Sequence, residues 1–129
     1  MSWRWIDKQA LILLHGESVD EHGGAAGIRD AGLLESALAR PLNVAAYGAP
    51  DVSDLAASYC IGLAKNHPFV DGNKRVAFLA VGMFLYLNGY RLQATQAEAT
   101  LTILSVADGS LTEPAFASWL RAHISARTN

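Results

Sequence analysis

The feature that most constrains the fold is an apolar run from Val76 to Leu87, which contains no charged residue. The run has 12 residues, whereas a membrane-spanning helix needs roughly 18 or more. A helix that is apolar on all sides is normally buried within a protein. We therefore predict that residues 75–88 form the buried central helix of a globular domain and that Asn88-Gly89 ends it.

The composition favours one folded domain covering residues 1–129. Hydrophobic residues make up 51% and charged residues 17% of the chain, which excludes intrinsic disorder. The net charge of −2 is unlike the basic footprint of a nucleic-acid-binding protein. The single cysteine, Cys60, excludes an internal disulfide, and the charged amino-terminal residues do not resemble a signal peptide. We expect a cytoplasmic protein with no direct nucleic-acid or membrane partner.

Apolar residues at helical spacing predict about six helices and hence an all-α fold. Besides the central one, the helices are expected over about Asp7–Val19, from Asp30 to Pro41, from Asp51 or Ser53 to Asn66, from Thr95 to Gly109, and from a capping box at Ser110–Glu113 to Ile124. Leu101, Leu104 and Val106 are expected on the core side of the fifth helix. Tyr90–Gln93 is expected to be extended, and Trp3 and Trp5 to belong to a short strand.

Residues 67–75, His-Pro-Phe-Val-Asp-Gly-Asn-Lys-Arg, lie at the start of the predicted central helix. A helix N-terminus offers unpaired N–H groups and the positive end of the dipole, which attract anions. Gly72 lets a phosphate approach the backbone closely, and Lys74 and Arg75 add two cationic donors. These residues together predict a phosphate-binding site.

Three more side chains of the same segment have predictable roles. Asp71 is a candidate Mg²⁺ ligand, because that ion prefers one or two carboxylates together with phosphate oxygens. His67 is a candidate general base for an attacking hydroxyl. Phe69 is apolar and is expected to anchor the loop in the core. The segment therefore has the groups that phosphoryl transfer requires.

The nine residues resemble the motif of the Fic family, His-Pro-Phe-x-Asp/Glu-Gly-Asn-Gly-Arg. The Asn-Lys-Arg ending, the early His15, the glycine-rich segment and the overall length are similar to the death-on-curing (Doc) branch of that family. The resemblance implies a Fic fold and transfer of a phosphate-containing group from a nucleotide, ATP, to a protein hydroxyl. It makes His67 the general base and Asp71 the Mg²⁺ ligand. It assigns phosphate binding to Gly72, Asn73, Lys74 and Arg75.

The resemblance also implies partners. In the Doc branch the product is a phosphorylated threonine of elongation factor Tu, which stops translation, and the toxin belongs to a type II toxin–antitoxin pair. The segment from His22 to Asp30 corresponds to a flap that positions the target, which assigns that role to Gly27, Ile28 and Arg29. The inhibitory pattern Ser/Thr-x-x-x-Glu-Gly/Asn does not occur in the sequence. Inhibition must then come from another chain or not at all, and the resemblance implies a small antitoxin with a C-terminal inhibitory segment.

Several alternatives stay open at this point. Pro68 and Gly72 follow the general Fic motif, whose enzymes transfer AMP, whereas Lys74 follows the Doc branch. A catalytically inactive binding protein is disfavoured by the intact motif. An RNA-cleaving toxin would need a broader basic face than Lys65, Lys74 and Arg75. A metal hydrolase would need a second histidine at ligand spacing, which the sequence lacks.

Overall fold

The computed structural model describes residues 2–128 and is mostly helical. Within these residues lie six helices: α1 (Lys8–His22), α2 (Ala31–Tyr47), α3 (Val52–Asn66), α4 (Asn73–Leu87), α5 (Gln96–Asp108) and α6 (Glu113–His123). Two short strands, β1 (Tyr90–Leu92) and β2 (Ile124–Ala126), pair antiparallel. The predicted all-α architecture is confirmed. Among the described helices, none is both long and apolar enough to cross a membrane.

Side-chain caps determine where most of the helices begin. Five of the six helices in residues 2–128 have an N-cap side chain that accepts a hydrogen bond from the first turn: Asp7, Asp30, Asp51, Thr95 and Thr112. The capping box expected at Ser110–Glu113 is wrong, because Thr112 caps α6. The exception is α4, whose N-cap is Gly72 and has no side-chain cap. The first N–H groups of α4 are thus not engaged by a capping side chain.

The central helix is α3, and the expectation that residues 75–88 would occupy this position is wrong. Twelve of the fifteen residues of α3 are buried, and the helix packs against α2, α4 and α6. Small residues allow this close packing: a Cβ on Gly62 would lie 3.2 Å from Ala37 of α2. Helix α4 is buried along one side only, and the side chain of Tyr86 is exposed on its other side. The size of the side chains, as well as their hydrophobicity, therefore decides which helix can be surrounded by the others.

The prediction that the second helix ends at Pro41 is wrong. Helix α2 continues through Pro41 to Tyr47. Proline removes one helical N–H and usually breaks or kinks a helix. Here Leu34, Ala37 and Pro41 are buried, and α2 packs along α3. This tertiary packing offsets the local cost.

The face that α5 turns to the core also differs from the expectation. Leu101 and Leu104 are exposed by 67% and 44%, respectively, while Ala99, Ile103 and Val106 are buried. Of the predicted core residues only Val106 is confirmed. The two leucines lie on a stripe that no described element covers, so hydrophobic spacing alone did not identify the buried face.

The short chain segments differ in how well the sequence predicts them. Tyr90–Leu92 is extended, as expected, and pairs with β2. The strand expected at Trp3 and Trp5 is wrong: these residues pair with no described strand, and their rings pack on Phe84 of α4 at centroid distances of 6.3 and 5.9 Å. Aromatic packing, rather than strand pairing, holds this segment to the core.

Candidate active site

The loop between α3 and α4, residues 67–72, contains the first part of the nine-residue motif. Hydrogen bonds within the motif hold this loop in place. Phe69 is buried, which confirms its expected role as an anchor. Asn73 accepts a hydrogen bond from the Phe69 N–H and donates one to the Phe69 carbonyl, both at 3.0 Å. The Asn73 side chain therefore holds the loop closed. Only the backbone N–H of Asn73, at the start of α4, can therefore contribute to the predicted phosphate-binding site.

His67 follows the last residue of α3 and has an uncommon backbone conformation. Its φ and ψ angles are 50° and 55°, which is the left-handed region, and its side chain is exposed. It is the one non-glycine residue with positive φ in the described chain. A non-glycine residue in this region marks a place where the surrounding structure determines the backbone.

Asp71 is held at both its backbone and its side chain. Its carboxylate Oδ2 accepts a hydrogen bond from the Ala25 N–H at 3.2 Å. Its carbonyl oxygen lies 2.7 Å from Nε2 of His15, so that nitrogen carries the donated proton. The carboxylate is nevertheless part of an exposed residue at the beginning of α4.

His15 is a buried member of the site whose function the sequence analysis does not assign. It is 2% exposed, and its ring stacks on Phe69 with centroids 3.8 Å apart. It thus links α1 to the backbone of the motif loop. Its signal in the sequence is the spacing Leu11-x-x-x-His15, which places the histidine on the buried face of α1.

The start of α4 has the features of an anion site. The first intrahelical bond runs from the Val76 N–H to the Gly72 carbonyl at 3.0 Å, and φ of Gly72 is 73°. Lys74 and Arg75 are exposed in the first turn. The pKa of Asp108 is lowered mainly by hydrogen bonds from Ser110 and, to a smaller extent, by nearby positive charge that includes Lys74. Lys74 is therefore close enough to the end of α5 for its charge to act on the Asp108 carboxylate.

The segment predicted as a flap lies directly along the motif loop. Ile28 and Phe69 form an antiparallel bridge, and the Val70 N–H donates to the Gly27 carbonyl at 3.0 Å. The side chains of Ile28 and Val70 are both exposed. Gly24 passes close to Asp71, since a Cβ there would lie 3.2 Å from the Asp71 carboxylate. The loop and the segment therefore form one short ribbon beside the start of α4.

The Arg29 side chain lies against the C-terminal end of α3, where the motif loop begins. Its Nε donates to the His67 carbonyl at 2.7 Å, and its Nη2 donates to the Asn66 carbonyl at 2.9 Å. Both acceptors are carbonyls at the C-terminal end of α3, where helical partners are missing. In this conformation the guanidinium is hydrogen-bonded to the backbone carbonyls of Asn66 and His67.

A groove of about 620 Å³ extends from the start of α4 between α1, α4 and α5. Its apolar lining comprises Leu14, Phe78, Leu79, Ile103 and Leu104. Charged residues flank it, with Glu17 and Glu21 on α1 and Lys74 and Arg75 on α4. The groove thus joins the candidate anion site to an apolar surface.

The donor set at the loop fits a Mg²⁺ ion held jointly with a phosphorylated ligand. Residues 2–128 contain no group of three or more His, Cys, Asp or Glu side chains arranged to hold a metal. Asp71 would be a single protein carboxylate beside an anion site. Mg²⁺ is commonly bound in this way, through one or two carboxylates, phosphate oxygens and water.

The fold and site together define a helical protein of the Fic type, with the motif loop at the start of an uncapped helix. The chain matches the Fic/DOC family model over residues 5–85, and it belongs to that family. It is similar to "Toxin Doc" of Mycolicibacterium smegmatis, with 47% identity over 75 residues. That alignment covers 56% of this chain and 57% of the relative. It is also similar to "Protein kinase doc" of Escherichia phage P1, with 32% identity over 119 residues, which are 92% of this chain and 94% of that protein.

Proposed function

We propose that this chain is the toxin of a type II toxin–antitoxin pair and that it transfers the γ-phosphate of ATP to a hydroxyl of a target protein. The observation that carries the proposal is the uncapped N-terminus of α4, with Lys74 and Arg75 in its first turn and His67 and Asp71 in the preceding loop. The relative from phage P1 that is named a protein kinase aligns with 92% of the chain, which supports the same activity.

Each site residue has one task in the proposed reaction. His67 accepts the proton of the attacking hydroxyl, which its exposed position beyond α3 permits. The N–H groups at the start of α4 bind phosphate oxygens, and Arg75 counters charge that develops on the transferred group. Asp71 would hold Mg²⁺, which neutralises phosphate charge when bound. Phosphoryl transfer needs mainly this positioning and charge stabilisation.

Lys74 is the residue that favours phosphate transfer over AMP transfer. Typical Fic motifs have glycine at this position, which leaves the backbone N–H groups uncovered. The Lys74 side chain adds bulk and a positive charge at the anion site. The nucleotide would then place its terminal phosphate, rather than its α-phosphate, beside the hydroxyl. By similarity to the Doc branch, the proposed target is a threonine of elongation factor Tu, in the cytoplasm.

AMP transfer is the second candidate, because Pro68 and Gly72 follow the general Fic motif. The two reactions are distinguished by incubating the protein with purified elongation factor Tu, Mg²⁺ and ATP labelled at the α- or the γ-phosphate. We expect label from the γ position only, and we expect Lys74→Ala to weaken it. Lys65→Ala, a change of another exposed lysine, is the matched control. Label from the α position would replace phosphate transfer by AMP transfer.

We also propose that the C-terminal segment of a small antitoxin binds in the groove between α1, α4 and α5 as an amphipathic helix. The groove combines an apolar lining with Lys74 and Arg75 at the start of α4, so an amphipathic segment lying there would block the anion site. The chain should be toxic when expressed alone. It should melt at a higher temperature with its partner, since a ligand that binds only the native state stabilises it.

Two leucines of nearly equal exposure provide the test of this partner site. Leu104 lines the groove and is 44% exposed, whereas Leu42 lies on α2 outside the groove and is 42% exposed. Leu104→Asp should keep its toxicity but escape neutralisation, while Leu42→Asp should remain neutralised. Equal neutralisation of both variants, or harmless expression of the unmodified chain alone, would contradict the proposal.

A further inference from the structure

The backbone around His67 is held by a segment that is distant in sequence. The Arg29 guanidinium donates to the carbonyls of Asn66 and His67, and the Arg29 backbone N–H donates to the Pro68 carbonyl at 2.7 Å. One residue thus contacts the carbonyl oxygens of three consecutive residues. His67 is the middle residue of the three.

Neighbours of Arg29 extend the same contact. The Asp30 N–H donates to the Pro68 carbonyl at 3.1 Å, and the Asn66 side chain donates to the Leu33 carbonyl at 3.0 Å. The start of α2 is therefore joined to the end of α3 on both sides of His67. If the Arg29 guanidinium were removed, Asn66 and Pro68 would keep these hydrogen bonds to the start of α2. The His67 carbonyl would lose the hydrogen bond that it accepts from Arg29.

From this arrangement we infer that Arg29 is a positioning residue for His67. The inference rests on the proposed role of His67 as general base. A guanidinium is planar and presents its donors in a fixed fork, so bonding two successive carbonyls orients both peptide planes that flank the residue between them. These planes, together with the left-handed φ and ψ of His67, set the direction in which its side chain leaves the backbone.

A role in holding His67 differs from the role of target contact that the family resemblance gives to Arg29. Nε and Nη2 of Arg29 donate to carbonyls at the C-terminal end of α3, and the exposed apolar side chains of the ribbon belong to Ile28 and Val70. Loss of a target contact would raise the KM for the target protein. Loss of positioning would lower kcat instead, because substrates would still bind while the base was misplaced.

Arg121 is the matched control, because it bonds the opposite end of the same helix. It donates to the carboxylates of Asp51, the N-cap of α3, and of Asp54 in its first turn. We expect Arg29→Ala to lower kcat by about 10- to 100-fold with the KM values for ATP and elongation factor Tu unchanged. Arg29→Lys should fall between this variant and the unmodified protein, since an ammonium bonds as a point charge. Arg121→Ala should leave kcat unchanged.

A double variant separates positioning from a general structural effect. If Arg29 acts through His67, adding Arg29→Ala to His67→Ala should cause no further loss of activity, although each single change is costly. Losses that multiply in the double variant would overturn the inference. A kcat of Arg29→Ala equal to that of the unmodified protein, or a rise in KM for the target alone, would also overturn it.

The backbone of residue 67 gives a readout that does not depend on activity. Arg29→Ala should move the backbone NMR shifts and the HN–Hα coupling of His67 away from left-handed values, and Arg121→Ala should not. Unchanged signals in Arg29→Ala would overturn the inference even if activity fell. If Arg29→Ala does not fold, Arg29→Lys takes its place in both measurements. Full activity of His67→Ala would instead overturn the proposed function, so the two failures are distinguishable.

Discussion

An arginine from another part of the chain donates hydrogen bonds to each end of the central helix α3. The two arginines differ in the kind of acceptor that they contact. At the N-terminal end, Arg121 donates to the carboxylates of Asp51 and Asp54, which also form a capping box. At the C-terminal end, Arg29 donates to backbone carbonyls, one of which belongs to His67. These ends are about 22 Å apart, given a rise of about 1.5 Å per residue.

Under the proposed role of His67 as general base, this difference separates a contact that only stabilises the helix from one that also orients a catalytic group. Side-chain carboxylates can move with the arginine that pairs with them, so the N-terminal contact holds the helix without fixing a reactive residue. Carbonyl oxygens belong to the chain itself, so the C-terminal contact restricts the conformation of His67. Changes at the C-terminal end should therefore affect activity, and changes at the N-terminal end should affect stability alone.

The largest effect is expected for His67→Ala. Loss of a general base should lower the rate of transfer by about 100-fold or more, which corresponds to about 2.7 kcal/mol. Because the side chain is exposed, the melting temperature should stay unchanged. The rate is measured with γ-labelled ATP and the fold by thermal unfolding. A variant that still arrests growth fully without an antitoxin would contradict the assignment.

Asn73→Ala should affect both stability and activity, because Asn73 closes the loop that follows α3. Its loss leaves the N–H and carbonyl of buried Phe69 without their partner, at a cost of about 2 kcal/mol in free energy of unfolding. The control is Asn88→Ala, which removes three hydrogen bonds at the far end of α4. Urea unfolding should show a smaller loss for the control, and its rate of transfer should be normal. Normal activity in a folded Asn73→Ala variant would argue against a positioning loop.

At the N-terminal end, Asp51→Ala should reduce stability only. Loss of an N-cap typically costs about 1 kcal/mol, which for a chain of this size lowers the melting temperature by about 3–5 °C. Thermal unfolding measures the shift, and kcat should match that of the unmodified protein. A clear fall in kcat below the melting temperature would remove the distinction between the two ends.

The smallest effect concerns pH. The hydrogen bond from Arg121 is the main reason that the pKa of the Asp51 carboxyl is lowered to about 2. A carboxyl with a lowered pKa in the folded state stabilises the protein above its ordinary pKa, and that contribution disappears as pH falls towards 2. Both side chains are 47% exposed, so solvent screening reduces the contribution to under about 1 kcal/mol.

Urea unfolding of the unmodified protein and Arg121→Ala between pH 2 and pH 7 measures this contribution. The difference in free energy of unfolding should be largest above about pH 4 and should shrink as the carboxyl becomes protonated. A difference that stays constant down to pH 2 would show that the pair does not stabilise through its charge.

Local signals in the sequence predicted the helix ends well. Asp51, one of the two candidate caps of α3, and Thr95 cap their helices as expected, and α3 ends at Asn66, just before the His67-Pro68 pair. These features depend on side chains bonding their own turn or on proline restricting the residue before it, so they act within a few residues. Likewise, the nine-residue motif alone was enough to predict that the candidate site lies in a loop at the start of a helix.

The sequence by itself therefore determined the all-α class, most helix boundaries and the content of the motif loop. Tertiary structure decided that α3 is the central helix, that α2 continues through Pro41, and that Leu101 and Leu104 stay exposed. It also decided that Arg29 and His15 hold the loop, 38 and 56 residues away from the residues they bond. Such contacts depend on how closely helices pack and on which carbonyls are left unpaired where chain segments meet, and no local pattern records either property.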